Sequence, residues 1–258
     1  MKVIILAGRE TGVAALHLKS LLESDAVDVV AVVYSEGRVL NRKKFWLRKI
    51  KKALRIGVFG VLNGIRIRSW FDYPTRYSLK DLCETKGIPY HSTPATNHHT
   101  TEKIFKESHA DLGVSLGNGY IAPRIFGIPK LGMVNVHHEI LPDFQNAQSV
   151  IWALYEGRDT TGYSIHKINS HMDGGDILWV QKNNILFGKN LRETVGLNVR
   201  EAYEQSAGKL PEVLANFEKY CNEAQNQVPG RTYTTPGLFA WMRMRRNHRI
   251  LKNKPVKG

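Results

Sequence analysis

The chain has two cysteines in 258 residues, Cys83 and Cys221, too few for a disulfide framework and not at zinc-ligand spacing. No apolar run is long enough to cross a bilayer, because the longest candidate, Ile56 to Ile65, is short and broken by Gly57, Gly60 and Gly64. No signal-peptide pattern opens the sequence, and Met1 and Lys2 lead straight into an apolar strand, which fits a cytoplasmic protein. His91, His98, His99 and His109 lack an acidic or cysteine partner at ligand spacing. Solvated loop histidines account for them and no metal is expected.

Acidic residues are missing from two whole stretches. Residues 38–76 hold twelve Lys or Arg against the single acid Asp72, and residues 229–258 hold eight against none. The formal charge is +14, so the remainder of the chain is mildly acidic, at −5. The basicity belongs to two appendages, which argues for an anionic partner met by specific surfaces. The length suits one main domain over 1–228, interrupted by a basic insertion at about 38–76, and a basic C-terminal extension over 229–258.

The main domain reads as α/β. Residues 3–7 are a short apolar run ending at Gly8, as expected of a buried parallel strand. A helix and a second strand at about 27–34 complete a doubly wound unit. Between them, Gly8-Arg9-Glu10-Thr11-Gly12 lies at a strand-to-helix turn, where free N–H groups suit a phosphate. An ordinary turn is the competing reading. Alternation resumes with a helix at 78–86, a strand at 89–92, a helix at 100–108 and a strand at 111–117, and a long helix is expected at about 190–225.

The insertion places Leu47, Ile50, Leu54, Val58, Val61 and Ile65 at helical spacing, with Lys44, Arg48, Lys51, Lys52 and Arg55 on the other side. With Phe45, Trp46, Trp70 and Phe71 this is the pattern of an interfacial helix on an anionic membrane. A helix docked on its own domain or on a second subunit is an equal reading, and RNA binding a lesser one. The extension carries a short helix, Leu238 to Leu251, with Arg243, Arg245, Arg246 and Arg249 beside Phe239, Trp241, Met242 and Met244.

Chemistry concentrates between residues 131 and 176. An apolar strand ends in Asn135-Val136-His137, so Asn135 and His137 project to one face. Strands at 162–168 and 176–181 flank a turn carrying Asp173. An amide, an imidazole and a carboxylate that fixes it are what acyl transfer to an amine requires. Taken alone, Asn-x-His is more often an ordinary strand end, and Asp-Gly-Gly-Asp an ordinary turn.

The ordered combination resembles the signature of the folate-dependent formyltransferases: Asn135-Val136-His137, Ile140-Leu141-Pro142, Thr161-Gly162 and Asp173-Gly174-Gly175. Upstream, Gly119-Tyr120-Ile121-Ala122-Pro123 resembles that family's pterin-holding loop. The resemblance implies a Rossmann-like fold, mostly parallel with helices on both faces, and a formyl group moved from 10-formyltetrahydrofolate to a primary amine. It implies Asn135, His137 and Asp173 as catalytic. It implies folate contacts at Leu116, Tyr120, Ile121, Ala122, Leu141 and Asn169, and acceptor contacts at Gly8, Arg9, Thr11, Gly12, Phe144, Gln145 and Asn146.

Tyr120 and Ala122 depart from the family's usual residues, as does Asp143-Phe144-Gln145-Asn146. An amino sugar on a nucleotide or lipid carrier is the expected acceptor, because a Gly-Ser-Gly-like phosphate loop and a C-terminal barrel for tRNA are both lacking. Methionyl-tRNA and glycinamide ribonucleotide remain open as acceptors. Hydrolysis of the folate is a further alternative, disfavoured by the lack of a regulatory module before the first strand. A non-catalytic membrane or RNA module also stands, with nucleic acid disfavoured and a homodimer open.

Overall fold

The computed structural model describes residues 1–147, 149–228 and 230–254; Pro229 and the last four residues of the extension lie outside them. Strands β1 (Lys2–Ala7), β2 (Asp28–Ser35), β3 (Tyr90–Thr93), β4 (Leu112–Leu116), β5 (Met133–His137), β6 (Thr160–Lys167) and β7 (Ile177–Asn184) form one sheet in the order 3-2-1-4-5-6-7. The first five strands are parallel, and β6 and β7 join antiparallel. This is the expected Rossmann-like architecture.

Alternation along β1 explains the layers. Val3, Ile5 and Ala7 pack into one apolar cluster with α1 (Val13–Leu22), α3 (Leu79–Lys86) and α7 (Leu191–Ala215), while Ile4 and Leu6 pack on the opposite face with Phe105 of α4 (His99–Ser108) and Ile125 of α5 (Pro123–Phe126). A strand covered on both faces needs apolar residues at every position, as here. Strand order reverses between β1 and β4, and the crevice beyond their C-terminal ends is where such sheets bind ligands. Gly8 and Gly117 close these two strands, and a Cβ on Gly8 would lie 2.4 Å from the Gly117 carbonyl oxygen. The strand ends approach so closely only because residue 8 has no side chain.

The long helix expected at 190–225 is two helices, α7 and α8 (Phe217–Asn222). Asn216 leaves helical geometry between them and its side-chain amide donates to the Glu212 carbonyl, a local bond that competes with helix continuation. The C-terminal helix α9 (Leu238–Lys252) buries Trp241, Met244 and Leu251 in a second apolar cluster, with Ile151 and Trp152 of α6 (Ile151–Glu156) and Val195 of α7.

The insertion folds as α2 (Arg42–Ile67), bent at Gly57 (φ 69°, ψ 172°), followed by a 3-10 turn over Arg68–Phe71. Its small residues face inward: a Cβ on Gly64 would lie 2.7 Å from the Thr235 methyl, and one on Gly60 3.4 Å from Gly237. The apolar stripe from Leu47 to Ile65 faces solvent. One edge of the insertion thus docks on the chain's own C-terminal segment, and its amphipathic face is left uncovered.

Candidate active site

β5 delivers Asn135 and His137 to the crevice, and the turn after β6 brings Asp173 between them and His166. The Gly174-Gly175 pair makes this turn possible. A Cβ on Gly175 would lie 1.9 Å from the Lys167 carbonyl oxygen, and Asp173 itself sits at φ 49°, a left-handed conformation that strains a residue with a side chain.

His137 Nε2–H donates to the Phe144 carbonyl at 2.8 Å, which assigns the lone pair to Nδ1, 3.6 Å from Asp173 Oδ2. His166 Nδ1–H donates to the Lys167 carbonyl at 2.8 Å, so its Nε2 accepts from Asn135 Nδ2 at 3.1 Å. One N–H of the Asn135 amide is thereby fixed and the other is left for a ligand. The Asn146 amide donates to Asp173 Oδ2 at 2.9 Å. Burial would push the Asp173 carboxyl up, but His137, His166 and the Asn146 amide hold it well below the usual carboxylate range. Burial lowers the His137 pKa, and Asp173 offsets this only in part. At neutral pH the pair is a neutral imidazole beside a carboxylate.

Two cavities meet at Asn135 and Asp173. A cleft of about 490 Å³ is lined by Phe71, His137, His138, Asn146 and Ser149 among others, and a narrow pocket of about 30 Å³ by Ser115, Tyr120, Ile121, His166 and Asn169. Ser149 Oγ and His138 Nε2 are buried on the cleft wall without a hydrogen-bond partner among the described residues. A buried polar atom without a partner is costly, and both belong to residues that line the cleft.

Of the folate contacts expected from sequence, Tyr120, Ile121 and Asn169 line the narrow pocket. The other three are engaged within the fold: Leu116 accepts from the Gly8 amide, the Leu141 amide donates to Ser164 Oγ, and the Ala122 amide donates to Asn97 Oδ1. Of the acceptor contacts, Asn146 lines the cleft. Phe144 is fully buried, and the Gln145 side chain bonds Gly230 and Gln227, so both brace the loop and neither faces the cleft. The 8–12 turn is not an open phosphate cradle. The Gly12 amide donates to Thr75 Oγ1 at 3.0 Å, the Gly8 amide is taken by Leu116, and Arg9 pairs with Asp72 at 3.1 Å, while Thr11 remains exposed. The end of the insertion has filled that turn.

His166 and Glu139 stand at or beneath the candidate site, though their sequence context did not place them there. His166 reads as one polar residue among several in an alternating strand, and only the register of β6, which sets it opposite Asn135, brings it to the site. Glu139 is fully buried and accepts from the Val150 amide at 2.7 Å, the Ile140 amide at 3.1 Å and Thr161 Oγ1 at 3.1 Å. It ties both ends of the 140–150 loop to β6, and Thr161 of the Thr-Gly motif is one of its anchors. Burial pushes its carboxyl up to about 7 despite these donors. Glu139→Ala leaves three buried donors unpaired and is expected to destabilise the fold by about 3–5 kcal/mol in denaturant titration. The wild type should also lose stability as pH rises from about 4.5 to about 7 and be flat above, because over that range the folded state binds the proton more tightly than the unfolded chain. A Glu139→Gln variant should lack that slope.

Comparison with known proteins decides the family. Residues 1–207 match the family model described as formyl transferase. The chain belongs to the formyl transferase family. Methionyl-tRNA formyltransferase of Ehrlichia ruminantium is 29% identical over 161 residues, 62% of this chain and 52% of that protein, so the match spans about half the relative's length. Among solved structures, glycinamide ribonucleotide transformylase 1 from Symbiobacterium toebii superposes with TM-score 0.56 at 13% identity, covering 89% of this chain and 92% of that one. A sugar N-formyltransferase from a Shewanella species gives TM-score 0.54 at 14% identity, covering 90% and 76%. These likenesses establish the fold that the family shares. In this member of the formyl transferase family the asparagine, histidine and aspartate of the recognised motifs stand together at the crevice.

Proposed function

We propose that this formyl transferase moves the formyl group of 10-formyltetrahydrofolate to the primary amine of an amino sugar held on a nucleotide or lipid carrier. The observation that carries the reading is the meeting of Asn135, His137 and Asp173 where the two cavities join, since a two-substrate transfer needs its catalytic groups at the boundary between two sites. The free Asn135 N–H stabilises the oxygen of the attacked formyl group as it gains charge. His137 Nδ1 takes the proton from the attacking amine and returns it to the departing folate N10, and the ionised Asp173 offsets the imidazolium formed in between. The proton and the formyl group thus change places with no net loss.

The narrow pocket is smaller than a pterin ring, so donor entry moves the half-exposed Tyr120 and Met172 side chains at its mouth. A free phosphate in the 8–12 turn is disfavoured because the Gly8 and Gly12 amides are taken and Arg9 is paired with Asp72.

Single-turnover transfer from 10-formyltetrahydrofolate to nucleotide-linked and lipid-linked amino sugars, glycinamide ribonucleotide, methionyl-tRNA and water, with wild type and His137→Ala, tests the reading. Transfer to an amino sugar that disappears in the variant supports it, and transfer to another acceptor alone overturns the sugar assignment. The pH profile tests the proton route. The rate should be flat near neutrality and fall on the acid side, below the ordinary imidazole value, as His137 is protonated. Asp173→Asn, which the left-handed backbone tolerates, removes the charge that raises the His137 pKa, so the acid limb should move to lower pH while the plateau drops.

A further inference from the structure

We propose that the face formed by α2 and α9 is a docking surface for an anionic phospholipid bilayer, with the cavity between these helices taking a lipid phosphate and the groove along α2 an acyl chain. On α2, Leu47, Ile50, Leu54, Val58, Val61 and Ile65 recur at intervals of three and four residues and face solvent, with Leu54 81% and Val58 78% exposed. On α9, Phe239 is 85% exposed and Leu238 and Met242 stand out beside it. A helix normally turns such a stripe to the core. Here glycines occupy the inner edge and the stripe is left outside.

Cations surround the stripe. Ten Lys and Arg lie between Arg42 and Arg68 with no acid among them, and none of the ten is ion-paired among the described residues. Between α2, α9 and the start of α7 is a cavity of about 870 Å³, lined by Arg66, Lys189, Arg192, Arg245, Arg249 and Lys252 and, among the described residues, by no carboxylate. None of these six is ion-paired among the described residues either. Phe59, Leu238 and Met242 also line it, so the basic cavity, roomy enough for a whole lipid headgroup, opens onto the apolar surface. Beside it a groove of about 580 Å³ runs along α2, with Trp46, Ile50, Ile56 and Ile65 on its walls and Lys49, Lys52 and Arg68 among its lining residues. Apolar groove, basic seat and surrounding cations match acyl chain, phosphate and anionic surface in turn.

Two other occupants fit less well. A second copy meeting this face symmetrically would set ten unpaired cations against ten. RNA would satisfy the cations and stack on Trp46, but would leave the aliphatic stripe in water.

The test is sedimentation of the full chain with sucrose-loaded vesicles, without folate or acceptor, so that its outcome is separate from that of formyl transfer. Vesicles with about 30 mol% phosphatidylglycerol should pellet the protein and pure phosphatidylcholine should not. About 0.5 M NaCl should weaken binding at least tenfold. Leu54→Glu with Val58→Glu, at positions exposed enough to leave the denaturation midpoint unchanged, should also weaken it at least tenfold, as should Arg245→Glu with Arg249→Glu. Absence of pelleting, or equal pelleting with neutral vesicles, overturns the proposal. So does binding to poly(U) RNA tighter than to vesicles and indifferent to the Leu54 and Val58 changes, or a dimer that those changes dissociate in a protein that ignores vesicles.

Discussion

Asn135→Ala is expected to lower single-turnover formyl transfer by about a hundred- to a thousandfold while shifting the unfolding free energy by only about 1 kcal/mol. The two effects separate because the amide has two N–H groups with different duties. One donates to His166 Nε2 at 3.1 Å and is a partly exposed structural bond. The other faces the junction of the two cavities, where it meets charge that exists only during reaction. Removing the side chain leaves His166 to find water, a small cost, and leaves the developing oxyanion without its donor, a large one. A fall in rate below tenfold, measured with unchanged folate binding, would remove Asn135 from the mechanism.

Gly175→Ala is the second large expectation, and it acts from outside the reacting groups. The new Cβ would lie 1.9 Å from the Lys167 carbonyl oxygen and 2.7 Å from its carbon, both backbone atoms that no rotamer change can move. The turn would have to withdraw from β6, carrying Asp173 away from His137, His166 and the Asn146 amide. A displacement of about 1 Å in a preorganised site can cost a hundredfold in rate, and the acid limb of the pH profile should move as it does in Asp173→Asn. Gly174→Ala would bring its Cβ to 2.9 Å from His171 Cβ, a tight contact but far less severe than 1.9 Å and within the turn itself, and is expected to be milder. Equal activity in the two variants would show that turn placement is not what positions Asp173.

The sheet was legible in the sequence because buried parallel strands are unbroken apolar runs, and Val3 to Ala7 has no other stable use. That Asn135 and His137 share a face was legible from the period of two along β5, and the turn that carries Asp173 from its glycines. Side chains whose meaning depends on register were not. His166 is one residue of an alternating strand until β6 is aligned with β5, and Gln145 looks like a substrate ligand until Gly230, 85 residues away, is seen to bond it. The 8–12 turn was left open between a phosphate site and an ordinary turn for a similar reason. Its own residues fit a phosphate, and only the return of the chain at Thr75 uses up its amide. The insertion was legible as a helix with two faces, but which face turns inward was decided by glycines whose partners lie beyond residue 234.

The crowding of like charge in α2 also bears on how the chain holds itself together. Burial, and then Lys49, Arg55 and Arg68 nearby, already lower the Lys52 pKa, so the folded helix gathers charges that an unfolded chain would disperse. Added salt screens that repulsion and should raise the melting temperature of the isolated protein. The same salt weakens attraction to an anionic surface. Ionic strength therefore acts on folding and on docking with opposite signs, and the protein should be easiest to hold in solution under the conditions in which it is least attached.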